Sequence, residues 1–289
     1  MLARVMIVGD SAALALDAVA AEFPTVVARA AAAAPDGVRV VCAAELFAGG
    51  ERGWRIARAV DDADELALVV SSRAEAVAMM TRLQRLVDRR NAASSTAAFA
   101  RALAAHRALF SAHDLGRPLV RADYDHARDA WQWMLRLDNK ASAAAQLAAL
   151  FHDVERLGSE ADARVEHLAA DYDAFKALHA VVGAEVMERT LASLPLGDGV
   201  VERAAGLVAR HERCDGTAES ALLNDADALS FFSLNSGGYL DYFGAAQTHR
   251  KIVWTLARMS PRARARLDAV FVRDDVRALL RPRAWKEMA

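Results

Sequence analysis

Residues 1 to about 90 alternate short apolar runs with Ala-rich stretches. RVMIV (4–8), VRVVC (38–42), RIARAV (55–60) and LALVVS (66–71) are dense in aliphatic residues and predict strands. The turn signal Pro35-Asp36-Gly37 precedes the second of them. The Ala-rich segment after Ser11 predicts helix. Ser72 and Glu75 form a capping box for a further helix that runs to about Arg90. Strands that alternate with helices in this way predict a small parallel sheet.

From Ala97 onward the period changes. Leu147, Leu150, Phe151, Val154 and Leu157 recur every three or four residues, the spacing of one helix face. Ser260-Pro261 has the form of another helix start. No later run has strand character. Between the two regimes lies NAASST (91–96), small and polar, which reads as a linker. The expected fold class is α+β: an α/β domain over 1–91, followed by an all-α helical bundle over 97–289.

Composition narrows the classes. Of 289 residues, 54% are hydrophobic and 26% charged, enough apolar mass for a real core and against global disorder. The formal net charge of −2 gives no reason to expect nucleic acid or an anionic membrane. Two cysteines, Cys42 and Cys214, make neither a disulfide framework nor a zinc-finger spacing, and fit a reducing cytoplasm. The apolar start ends at Gly9-Asp10 with no cleavage site after it, and the Ala-rich stretch is interrupted by Asp17, Glu22, Pro24 and Arg29. These features predict a soluble, cytoplasmic protein.

The chemistry lies in the histidines. Of eight, five fall between positions 126 and 211. His126 lies in YDHARDAWQWMLRL, and His152-Asp153 flank the apolar stripe of AQLAALFHDVERL. His179 lies on a further helix, and His211 at a helix end in VARHERCDG. LLNDADALSFF adds Asp225 and Asp227. Imidazoles and carboxylates beside packed stripes need hydrogen bonds or a metal. On separate helices of a bundle they can converge on one site. His113-Asp114 is also an H-D pair, but Leu115-Gly116-Arg117-Pro118 follows it, so it reads as a helix-end turn. His106 and His249 read as solvated helix positions. His167 could approach the site from a helix start. The aromatics Phe231, Phe232, Tyr239, Tyr242 and Phe243 predict core packing, with one or two available to line a pocket.

His126, the pair His152-Asp153 after A-A-L, and the A-D-x-L element of Ala226 to Leu229 together resemble the HD superfamily of metal-dependent phosphohydrolases. The resemblance spans roughly residues 100 to 245, and its fourth ligand falls on Asp227 rather than Asp225. H-A-V-V-G-A-E-V-M (179–187) and H-E-R-C-D-G (211–216) are similar to segments of the HD-GYP branch. By that likeness His179 and His211 hold a second metal and Asp153 bridges the two. Thr217-Ala218-Glu219 replaces the G-Y-P, Arg210 replaces a histidine, and Arg156 stands where the branch has lysine. These departures leave a cyclic dinucleotide substrate without support.

The resemblance implies a phosphohydrolase acting on a small phosphorylated metabolite or nucleotide. Two divalent ions, Fe or Mn first and Zn, Ni or Mg after them, would share a bridging hydroxide positioned by Asp153. Six protein ligands leave open positions for water and substrate. Arg156, Lys176 and Arg213 are the candidate substrate-binding cations. The same six-ligand count occurs in the HD-type di-iron oxygenases, so an oxygenase acting on a small chelating substrate is the alternative reading; a catalytically silent, metal-stabilised regulatory module is the third. Val8-Gly9-Asp10-Ser11 follows a strand, but no dinucleotide or Walker pattern accompanies it. The N-terminal domain is therefore read as a scaffold, a gate, or a surface for homo-oligomer formation.

Overall fold

A computed structural model describes residues 4–22, 27–47, 65–84, 91–213, 215–267, 270 and 272–280. The chain divides into two compact units, one of residues 1–89 with 268–271, the other of 90–267 with 272–289.

The first unit is built on a four-stranded parallel sheet. Its strands are β1 (Arg4–Val8), β2 (Val27–Ala31), β3 (Arg39–Cys42) and β4 (Glu65–Val69), in the order β2-β1-β4-β3. Val5 pairs with Ala28 on one side and Leu66 on the other. The helices are α1 (Ser11–Leu14), α2 (Leu16–Glu22), α3 (Ala43–Leu46) and α4 (Arg73–Gln84). Strand alternation divides the apolar residues between two faces. Val5, Ile7, Val41, Leu66 and Leu68 pack with Leu16, Val19, Leu46, Met79 and Leu83, while Met6, Val8 and Ala67 form a smaller cluster with Val38.

Two expectations change here. The Ala-rich stretch is not one helix: Ala15 adopts φ 50° and separates α1 from α2, and β2 follows. β2 is VARAA, a composition that favours helix, and it becomes a strand by pairing along the edge of β1. The capping box at α4 is also displaced by one residue. Ser72 Oγ accepts from Glu75 N at 3.2 Å, but the Glu75 carboxylate accepts from Ser71 N and Oγ at 2.6 and 2.7 Å. The candidate strand 55–60 lies outside the described residues.

The second unit shows no strand among its described residues. Its helices are α5 (Ala97–Ala112), α6 (Pro118–Leu137), α7 (Ala143–Phe151), α8 (Arg156–Ser159), α9 (Tyr172–Leu191) and α10 (Val200–Val208). α11 (Ala218–Ser230), a π-helical segment (Phe231–Asn235), α12 (Ser236–Arg258), α13 (Pro261–Arg264) and α14 (Asp274–Leu279) follow. Side-chain caps fix where several begin: Thr96, Ser142, Asp171, Thr217 and Ser260 each accept from the amide three residues on. α12 is interrupted at Gly244, whose φ of 77° and ψ of 173° only glycine adopts without strain.

α6 is the central helix and packs against α7 and α11. It is buried on nearly every side, so its polar residues must find partners inside. Asp123 takes a bidentate bond from Arg164 at 2.6 and 2.9 Å. Trp131 Nε1 donates to Gln146 at 2.9 Å, and Asp129 accepts from Ser233 at 2.6 Å.

The segment 91–96 is not a free linker. Asn91 Nδ2 donates to the carbonyls of Asn139 and Ala141, its Oδ1 accepts from Gln146 at 2.9 Å, and Ser94 is fully buried. His106 is not solvated either. It is buried against Phe110, Tyr124 and Phe151. Burial pushes its pKa down to about 3, against a hydrogen bond to the Leu150 backbone that acts upward.

His106 therefore stays neutral in the folded chain at pH values where the unfolded chain binds a proton. Between about pH 6.5 and 3 the unfolded state holds more protons at this position, so stability falls as pH falls, by up to about 1.4 kcal/mol per unit. Denaturant titrations of wild type and His106→Leu should show the wild type losing ground to the variant from pH 6.5 to 4.5. Parallel stability profiles would refute the assignment.

Candidate metal centre

α7 is capped by Ser142 and ends at Phe151, which places His152 and Asp153 just past its C-terminus. The sequence put the pair within a helix; it stands in the turn 152–155 that leads to α8. Gly183 of α9 faces this turn. A Cβ at Gly183 would lie 3.4 Å from the His152 carbonyl oxygen, so side chains beyond a methyl would push the turn outward. His126 comes from the middle of α6, His179 from α9, His211 from the turn after α10, and Asp227 from α11.

The six residues singled out in the sequence, joined by Glu212, meet in two groups. His126, His152 and Asp227 form one; Asp153, His179, His211 and Glu212 form the other. Asp153 stands at the junction. Its Oδ1 lies 2.9 Å from His179 Nε2 and 3.7 Å from His211 Nε2. Its Oδ2 lies 3.7 Å from His152 Nε2 and 3.9 Å from His126 Nε2.

The outer ring nitrogens fix the tautomers. His152 Nδ1 donates to the Ala149 carbonyl at 3.0 Å and His211 Nδ1 to that of Val208 at 2.7 Å. Ser230 Oγ donates to the His126 carbonyl, so its lone pair accepts from His126 Nδ1 at 2.9 Å. Glu155 accepts from His179 Nδ1 at 2.5 Å. In each neutral ring the proton is then on Nδ1, and Nε2 presents a lone pair inward. His126 and His152 bring these lone pairs within 3.2 Å of each other, and Asp227 Oδ1 lies 3.1 Å from the first. His211 Nε2 is buried with no hydrogen-bond partner. Facing acceptors repel unless a cation or added protons lie among them. The donor set thus fits transition-metal ions, for which imidazole nitrogen and carboxylate oxygen are suitable ligands. Two groups of side chains could hold metal ions; their identity and number do not follow from the donors.

The charges around the cluster point the same way. Burial acts against ionised Asp153, but Arg156 and the neighbouring imidazoles hold its carboxyl well below the usual range. Burial likewise opposes a charged His211; the Glu212 and Asp153 carboxylates outweigh it and raise the ring to about 9. Arg156 Nε lies 3.1 Å from Asp153, with Glu160 at 3.1 Å and Glu166 at 3.7 Å. Lys176 is buried and ion-paired with Glu212. Arg258 joins Glu212 at 2.9 Å and Asp227 at 3.2 Å. Burying this much charge is tolerable only because nearly every group has a partner.

The remaining candidates separate. Asp225, two residues from Asp227 and so on another face of α11, accepts from Ser260 N and Oγ at 2.8 and 2.5 Å and so holds the capping residue of α13. His113 and Asp114 form the end of α5, with Asp114 at φ 63°. His167 is exposed and packs on Phe243. Of the three expected substrate cations, Arg156 and Lys176 are tied to carboxylates and Arg213 is exposed. Tyr242 is exposed, whereas Phe231 and Phe232 are buried. Glu212, Glu155 and Arg258 were missed. Glu212 was readable beside His211 in H-E-R; Glu155 and Arg258 carry no local signal.

The family model described as Domain of unknown function (DUF4202) matches residues 96–280. The chain belongs to this family. No curated protein and no solved structure matches it. The DUF4202 match spans both donor groups, from α6 to α11. No helix among the described residues is long and apolar enough to cross a membrane.

A cation that binds the folded donors and not the unfolded chain must stabilise the fold. At a free concentration a hundredfold above Kd the gain is about 2.7 kcal/mol, or roughly 5–10 °C in Tm for a unit of this size. Melting curves with Mn(II), Fe(II) or Zn(II) should show such a shift in the wild type and its loss in His152→Ala. A wild-type Tm indifferent to all three ions would count against metal binding.

Proposed function

We propose that this helical unit is a metal-dependent phosphohydrolase of the HD type, acting on a small phosphorylated metabolite or nucleotide. One observation carries the reading: Asp153 turns one oxygen towards each of two imidazole pairs, each with its Nε2 atoms facing inward. His126, His152 and Asp227 would hold one ion, and His179 and His211 the other, with Asp153 between them. Such ions would supply Lewis-acid polarisation of a phosphoryl oxygen and a nucleophile at neutral pH.

The chain's own side chains prepare the site. Ser230, the Ala149 and Val208 carbonyls and Glu155 keep the four Nδ1 protons outside, so it is Nε2 that each ring, when neutral, would offer a metal ion. Arg156 fixes the Asp153 carboxylate, and Arg258 fixes Asp227. Two divalent ions would bring more positive charge than Asp153 and Asp227 return, which favours an anionic substrate such as a phosphate ester.

Purified protein should contain bound transition metal by elemental analysis and hydrolyse phosphate esters with Mn(II) under anaerobic conditions. Asp153→Ala should lower kcat/KM by roughly a thousandfold, about 4 kcal/mol of transition-state stabilisation, with helical circular dichroism retained. Unchanged turnover in that variant, or a phosphate-ester screen negative with every metal, would rule the proposal out. Oxygen consumption by an iron-loaded form would transfer the site to the oxygenase chemistry.

A further inference from the structure

The second half of α12 carries Lys251, Trp254 and Arg258 at spacings of three and four, on one helix face. The Arg258 guanidinium carbon lies 3.8 Å from the centroid of the Trp254 indole, and Arg258 reaches Asp227 and Glu212. Lys251 Nζ lies 4.8 Å from the same indole and 5.9 Å from the Phe231 ring. Trp254 thus stands between the two cations, Arg258 bonded to the donor cluster and Lys251 acted on through space by its Asp227 and Glu212.

Lys251 differs from the cations around it. Arg156, Lys176 and Arg258 each have carboxylates in contact, whereas Lys251 has aromatic faces and no ion pair or hydrogen bond among the described residues. The Glu166, Glu212 and Asp227 carboxylates act on it only through space, and Lys176 acts against them. An ammonium has three donors, and ring faces satisfy none of them as an oxygen would. Its partial burial also withdraws water, which pushes the ammonium towards neutrality. An anion arriving beside it meets an ammonium that no carboxylate oxygen contacts among the described residues.

We propose that Lys251 is the anion-binding residue of this site, its ammonium donating to a phosphate oxygen of the substrate while Trp254 walls the same position. The assignment rests on the phosphohydrolase reading and replaces Arg156, Lys176 and Arg213 as the substrate's cation. It makes Lys251 a binding residue, with little direct part in bond cleavage.

Inorganic phosphate titrated calorimetrically into the full chain, metal-free and Mn(II)-loaded, tests it. Lys251→Met should weaken phosphate binding about tenfold or more, with metal content and Tm unchanged. Lys251→Arg should recover most of the affinity. With a phosphate ester, Lys251→Met should raise KM far more than it lowers kcat. Wild-type affinity in Lys251→Met, no phosphate binding by the wild type in either form, or an equal loss in Lys251→Arg would each overturn it. Failure of the wild type to take up metal defeats the phosphohydrolase reading separately, and the metal-free titration still judges Lys251.

Discussion

Mutual repulsion among inward-facing acceptors is the constraint to which the helical unit is built. Four imidazoles have their Nδ1 atoms bonded outward, and their Nε2 atoms converge on the carboxylates of Asp153 and Asp227. Such a cluster cannot be held by its own contacts. It needs rigid helices behind it and positive charge within or around it. α6, buried on almost all sides, and α7, capped at Ser142, supply the rigidity. Arg156, Lys176 and Arg258 supply part of the charge.

The polar interior of α6 follows from the same demand. A helix that delivers His126 to the centre of a bundle cannot turn a polar face to water. Asp123, Asp129 and the Trp131 indole N–H are therefore closed off against Arg164, Ser233 and Gln146. Each bond leaves fewer ways for the helix to rotate, and rotation is what would carry His126 away from His152.

Much of this was legible locally. The strands RVMIV, VRVVC and LALVVS and the caps at Ser72 and Ser260 declare themselves within a few residues, because alternation and capping are short-range effects. β2 did not, since VARAA becomes a strand only beside β1. His106 looked solvated because Ala and Arg flank it; its aromatic enclosure comes from α6 and α7. The donors were found because a motif order named them, whereas helical spacing alone could not have joined His126 to Asp227. Glu155 and Arg258 matter through bonds to residues 24 or more positions away, and no window of sequence shows that.

The break at Gly244 divides α12 into two pieces with separate axes. Tyr239 and Phe243 belong to the first piece, Lys251, Trp254 and Arg258 to the second. A continuous helix would couple these side chains through a single rotation. Divided, the aromatic segment can diverge in identity and tilt while the cationic stripe keeps its register beside Asp227.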